Sequence, residues 1–238
     1  GSCQWPLNQW NSPISDRELL EARSLVGTQN SELITGAAFT DTAILSKGDI
    51  SDYRILHFAT HGLVTAPSPS CPAKPALVTS FGDDGSDGLL AFDEIFDLKL
   101  DADIIILSAC DTAGKASITA TRAAGVSSGG GTALDGLVRS FIGAGGRSVL
   151  ASHWPAPDEF RATERLINGL FNDGRGQSIA EALRQSQLDL MNDPVTSHPF
   201  YWAGFALIGD GSRTFLPSST SLATSDAPSA RITQPALK

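Results

Sequence analysis

No apolar run in this 238-residue chain approaches the roughly 20 residues that a membrane-spanning helix needs, and the N-terminus lacks the basic and apolar parts of a secretory leader. A soluble, cytoplasmic protein without membrane partners is the expectation. Cysteine is scarce as well. Cys3, Cys71 and Cys110 are too few and too irregular for a disulfide framework or a thiolate metal site, which favours a reducing compartment. Cys71, among prolines, shows no partner. Basic residues number 17 against 26 acidic, and the net charge of -9 opposes the phosphate neutralisation that drives nucleic-acid affinity, so direct nucleic-acid binding is not expected. Signatures for bound groups are missing too. The glycines at 129–131 and 143–146 lead to no Gly-Lys-Ser/Thr terminus, and no G-x-G-x-x-G opens a helix after a strand. His57 and His61 stand four apart but in a strand-like run without the helical His-Glu-x-x-His pattern, so no metal and no cofactor are expected. No internal repeat is visible.

What is present is a 41% hydrophobic composition, ample for one sizeable core. The most informative stretch runs Asp103-Ile-Ile-Ile-Leu-Ser-Ala-Cys110. A continuous apolar run suits a strand covered on both faces, and in open α/β sheets reactive groups sit just past the carboxyl ends of such strands. Arg54-Ile-Leu-His-Phe-Ala-Thr-His61-Gly62 has the same form. Two strand ends thus offer a thiol and an imidazole 49 positions apart, enough chain for a crossover that returns beside the first strand. An imidazole accepting the proton of a thiol makes a nucleophile of it. Asp111 acts the other way, since an adjacent carboxylate raises a thiol pKa unless it points away.

Along the chain, residues 1–14 have no period and read as an irregular piece of a larger parent. Ser15 with Glu18 forms a capping-box pattern for a helix to about Val26, Glu32–Thr35 is a short strand candidate, and Phe39–Lys47 a second helix. Proline-rich residues 62–75 form a loop beside His61. Residues 76–80 and the run ending near Leu90 form a hairpin, followed by a short helix over 92–98. Residues 111–131 read as a long mobile loop. Helices are predicted from Thr132, from Asp158 with Phe160, Thr163, Ile167, Leu170 and Phe171 on one face, and from Ser178 to about Met191. Between the first two lies a strand at 147–151. A final buried strand covers 203–208, and residues 212–238 form a flexible tail. The fold class is α/β, with a largely parallel sheet and helices on both faces, in one domain over 15–211.

The blocks HFATHG (57–62), LSACDT (107–112), AGGRSVLASHWP (144–155) and PFYWAGFALIGD (199–210) occur in the order of the CHAT domain, and the chain resembles that family of caspase- and separase-like cysteine peptidases. Histidine precedes cysteine at about the caspase distance, but the caspase signature around the nucleophile is absent, so specificity for aspartate is not carried over. The resemblance implies a caspase-like fold and a cysteine endopeptidase acting on a protein substrate. In it His61 polarises Cys110, and backbone N–H groups of Gly62 and Cys110 hold the oxyanion. It also implies a helical-repeat regulatory region or partner. The segment around His153, Trp154 and Asp158 resembles the part of separases and CHAT domains that helps build the substrate pocket. Asp158 would there favour a basic side chain before the scissile bond, while its other reading is the N-cap of the following helix. His57 is read as core, His198 as surface, and Tyr201 and Trp202 as structural aromatics. The rival reading of the whole is a catalytically inactive caspase-like interaction module.

Overall fold

The computed structural model describes residues 3–11, 14–63, 66–71, 74–82, 85–108, 132–154, 157 and 159–218, with 132–135 as backbone only. The described strands are β1 (Ile55–Phe58), β2 (Gly62–Leu63), β3 (Ala76–Phe81), β4 (Asp87–Ala91), β5 (Ile104–Leu107), β6 (Ser148–Ser152) and β7 (Phe205–Gly209). The α-helices are α1 (Arg17–Val26), α2 (Asp41–Leu45), α3 (Phe92–Asp97), α4 (Thr132–Gly143), α5 (Ala162–Asp173) and α6 (Ile179–Asn192). A four-stranded sheet has the order β1-β5-β6-β7, its first three strands parallel and β7 antiparallel. Beside it, β2, β3 and β4 form an antiparallel sheet. Among the described residues no helix is long and apolar enough to cross a membrane.

The unbroken apolar runs form strands because both sheet faces are covered, so alternate residues enter different cores. Phe58, Ile105, Leu107, Val149 and Ala151 pack with Ile44 of α2, Ile95 of α3 and Leu137, Val138 and Phe141 of α4. Ile55, Ile104, Ile106 and Leu150 face the other way, onto Ala22 of α1, Leu166, Ile167 and Leu170 of α5, and Ile179 and Leu183 of α6. Each such Val, Leu, Ile or Phe side chain contributes about 1.5–3 kcal/mol. The N-terminal strand ends are pinned by charge. Arg54 holds Asp103 at 2.6 Å and Asp101 at 3.2 Å, and Arg147 also reaches both carboxylates. The opposite, carboxyl ends are left for chemistry.

Several expectations need correction. Ser15 does not close a capping box: α1 starts at Arg17, its N-cap position is Asp16, and Glu18 turns inward to His57. Residues 31–35, extended at Ser31 and Thr35, join no ladder among the described residues. The helix expected from Asp158 begins at Ala162, since Phe160 and Arg161 adopt left-handed φ of 56° and 54° that no helix tolerates. Phe160 is accordingly exposed, whereas Thr163, Ile167, Leu170 and Phe171 are buried as the periodicity predicts. β7 is not fully buried, for it is an edge strand whose last two residues are exposed. The tail composition hid two anchors, as Phe215 and Leu216 are buried and Phe215 meets the Phe171 ring at 5.1 Å; residues 219–238 lie outside the described residues. Cys71 has a partner after all, a disulfide to Cys3. Sixty-eight residues separate the two, and no spacing rule could pair them. The bridge weighs against the reducing compartment, since protein disulfides persist mostly in oxidising ones.

Candidate active site

β1 and β5 are adjacent and parallel, with Ile55 opposite Ile104 and Phe58 opposite Leu107, an offset of 49 positions throughout. His61 lies three residues beyond Phe58. The chain crosses there from one sheet to the other and is fastened as it does so: Val78 N–H donates to the His61 carbonyl at 2.8 Å, and the Thr60 hydroxyl donates to the Val78 carbonyl at 2.6 Å. The imidazole is half-buried. Gly62 follows, buried, opposite Leu77. Because His61 and Val78 form a hydrogen-bonded pair of this antiparallel ladder, the next pair, Gly62 with Leu77, is of the other kind. The Gly62 N–H therefore points away from β3, toward the outer edge of the small sheet.

On the other strand the last described residue is Ser108, whose N–H donates to the Phe58 carbonyl at 2.9 Å. Cys110, Asp111, the loop over 111–131 and Asp158 lie outside the described residues. His153 is exposed, with its N–H on the Gly204 carbonyl at 2.8 Å. Trp154 is half-buried and donates its indole N–H to the Phe200 carbonyl at 3.0 Å. Its ring lies on Gly204, where a Cβ would stand 2.7 Å from Trp154 Cε2, so this contact between two of the resembling blocks demands glycine. Helix α5 has its N-cap at Arg161 and follows a 3-10 turn over Glu159–Arg161.

Beneath the strand ends sits a group that the sequence reading missed. His57 Nε2 lies 2.6 Å from Glu18 Oε1 and 3.3 Å from Ser108 Oγ, and the Ser108 hydroxyl donates to the same Glu18 oxygen at 2.5 Å. Serine, histidine and glutamate suggest a catalytic triad, but in a triad the acid and the hydroxyl occupy opposite ring nitrogens. Here both meet Nε2, and Nδ1 is buried without a hydrogen-bond partner among the described residues. Ser108 is itself buried. The cluster ties α1 to the two strands that lead to His61 and Cys110, a positioning role. One signal existed in the sequence: His57 and Ser108 lie 51 positions apart on strands offset by 49, hence diagonal neighbours.

Fold and site together define a mixed α/β domain whose parallel sheet directs a histidine past one central-sheet strand and a cysteine-bearing segment past its neighbour. The CHAT domain model matches residues 1–210, and the chain belongs to this caspase-like family. It is similar to tetratricopeptide repeat protein 28 of Homo sapiens, 28% identical over 87% of this chain and 9% of that protein. The Mus musculus protein of the same name is 26% identical over the same shares. The chain thus spans only a small part of the curated relatives that it matches.

Proposed function

We propose that this chain is a cysteine endopeptidase domain in which His61 polarises Cys110 for attack on a peptide carbonyl. One observation carries the reading: β1 and β5 are neighbours offset by 49 positions, the separation of His61 from Cys110 in the sequence. The thiolate adds to the carbonyl carbon, the imidazolium gives its proton to the leaving amine, and water hydrolyses the thioester. The Gly62 N–H, turned out of its ladder, is one oxyanion donor, and the Cys110 N–H is the second. His153 and Trp154 line the substrate groove beyond β6. Asp158 selects a basic side chain before the scissile bond. The name of the relatives supports a helical-repeat region as regulator.

The test is peptide-library turnover by the full-length parent. Wild type cleaves after Arg or Lys, Cys110→Ala has no turnover, and Asp158→Asn loses the basic preference while still cleaving. Cleavage by Cys110→Ala contradicts the mechanism; an unchanged preference in Asp158→Asn contradicts the pocket alone. The rival, an inactive module that presents its groove to a partner, requires Cys110 to be inert toward an electrophilic thiol probe.

A further inference from the structure

Three aromatic rings form a row at the carboxyl end of the sheet. The Tyr201 ring meets Phe200 at 5.5 Å between centroids and Phe160 at 5.7 Å, both edge to face. Tyr201 is half-buried, whereas Phe200 and Phe160 are 43% and 55% exposed. Single exposed apolar residues are ordinary, but rings in mutual contact make a patch. The row is continuous with the candidate active site. Ala151 of β6 lies opposite Leu107 of β5, and Trp154 follows Ala151 by as many positions as Cys110 follows Leu107. Since the Trp154 indole donates to the Phe200 carbonyl at 3.0 Å, the row starts one strand away from the cysteine strand. It continues toward β7, whose first residue, Phe205, pairs with Ser152.

Phe160 is turned outward against a backbone preference. It and Arg161 are consecutive left-handed residues, with φ of 56° and 54°, and such strain persists only where the surroundings over-determine it, most often at functional sites. Thr163 supplies the constraint, its N–H and hydroxyl donating to the Pro157 carbonyl at 3.4 and 3.1 Å, and Glu164 holds the Arg161 guanidinium at 2.7 Å. An unstrained helix through this segment would lay Phe160 on the buried face with Thr163 and Ile167; the strained turn delivers it to Tyr201 instead. The opposite side of the row is equally fixed. Ala203 N–H donates to the Pro199 carbonyl at 2.8 Å, and Gln187 Nε2 donates to the Trp202 and Phe205 carbonyls at 3.1 and 3.0 Å.

We propose that Phe160, Tyr201 and Phe200 form a subsite for a large apolar side chain, aromatic or branched aliphatic, carried by the third or fourth substrate residue before the scissile bond. This subsite rests on the peptidase reading, whose chemistry sets its side. His61 gives its proton to the leaving amine, so the substrate beyond the scissile bond lies toward β1. The acyl part therefore lies on the other side of β5, over β6 and β7. Neighbouring strands stand about 4.8 Å apart and an extended peptide advances about 3.3 Å per residue, so the roughly 10 Å from β5 to β7 is spanned by about three residues. The chemistry of the occupant follows from the rings, against which a charged side chain would lose hydration without gaining a partner.

The test separates this subsite from the peptidase reading by measuring binding without turnover. Peptides with Arg before the scissile bond, differing only at the third and fourth positions before it, are titrated onto the Cys110→Ala protein and followed by fluorescence anisotropy. Leu or Phe at one of those positions should bind at least tenfold more tightly than Ala or Asp. Adding Phe160→Ala or Phe200→Ala should remove that difference and leave the affinity of the Ala peptide unchanged; both rings are exposed, so neither change opens a core cavity. In the protein with Cys110 intact, the same substitutions should raise KM with kcat within about twofold. An apolar preference in binding without any cleavage overturns the peptidase reading and supports the subsite. Equal binding of all peptides, no detectable binding, or a preference that survives both substitutions overturns the subsite. A lowered Tm in Phe160→Ala with unchanged affinities overturns it as well, since the rings would then be covered by this chain itself.

Discussion

β5 and β1 have four residues each and lie side by side, yet they are held differently. Ile104, Ile105 and Ile106 are wholly buried, with a strand on either side and helices over both faces. Among the described residues β1 has one neighbouring strand, and it has two half-buried residues and a cavity at its edge. The strand leading to the cysteine is fixed by this chain alone. The strand leading to the histidine is fixed on one side by β5, at its end by the Val78 hydrogen bond, and from above by Glu18. Among the described residues, the strand ahead of the candidate nucleophile is thus enclosed on both edges and the strand ahead of its base on one.

Breaking β5 should cost most. Ile106→Ala is expected to destabilise by about 4 kcal/mol, since a fully enclosed side chain leaves a cavity that cannot collapse, and denaturant titration measures it. Leu56→Ala, at the partly filled edge, should cost about 1–2 kcal/mol in the same assay. Equal costs would erase the contrast between the strands. Glu18→Leu falls between, at about 3 kcal/mol, because it strands two buried partners, Ser108 Oγ and His57 Nε2, shared by both strands. A smaller loss would mean that the cluster is solvated. The bridge sharpens the comparison at the loop beyond β2: Cys3→Ser with Cys71→Ser should cost about 2 kcal/mol, and unfolded wild type without reductant should show one titratable thiol. Three thiols would restore the reducing compartment.

Much of this was legible beforehand because it is local. The apolar runs at 55–58 and 104–107, the turn-rich hairpin and the Ser178 cap, which accepts from Glu181 N–H at 3.2 Å, each follow from neighbours in sequence. What escaped depends on distant chain. Nothing in Ile-Leu-His-Phe says whether a strand is central or at an edge, and the same blindness made β7 look buried. Glu18 matched a capping pattern because Ser15 stood three residues earlier, whereas its burial was decided by His57 39 positions away. The proposed substrate-pocket role of Asp158 came only through resemblance, and the left-handed Phe160 and Arg161 left no signal in the sequence.

The central claim is that His61 activates Cys110, and the rate at which an electrophilic probe alkylates Cys110, read from its peptide by mass spectrometry, tests it most directly. At pH 7 the wild-type parent should react at least tenfold faster than His61→Ala, because a thiol near its free pKa of about 8.5 is mostly protonated without the imidazole. Equal rates in the two proteins would contradict it.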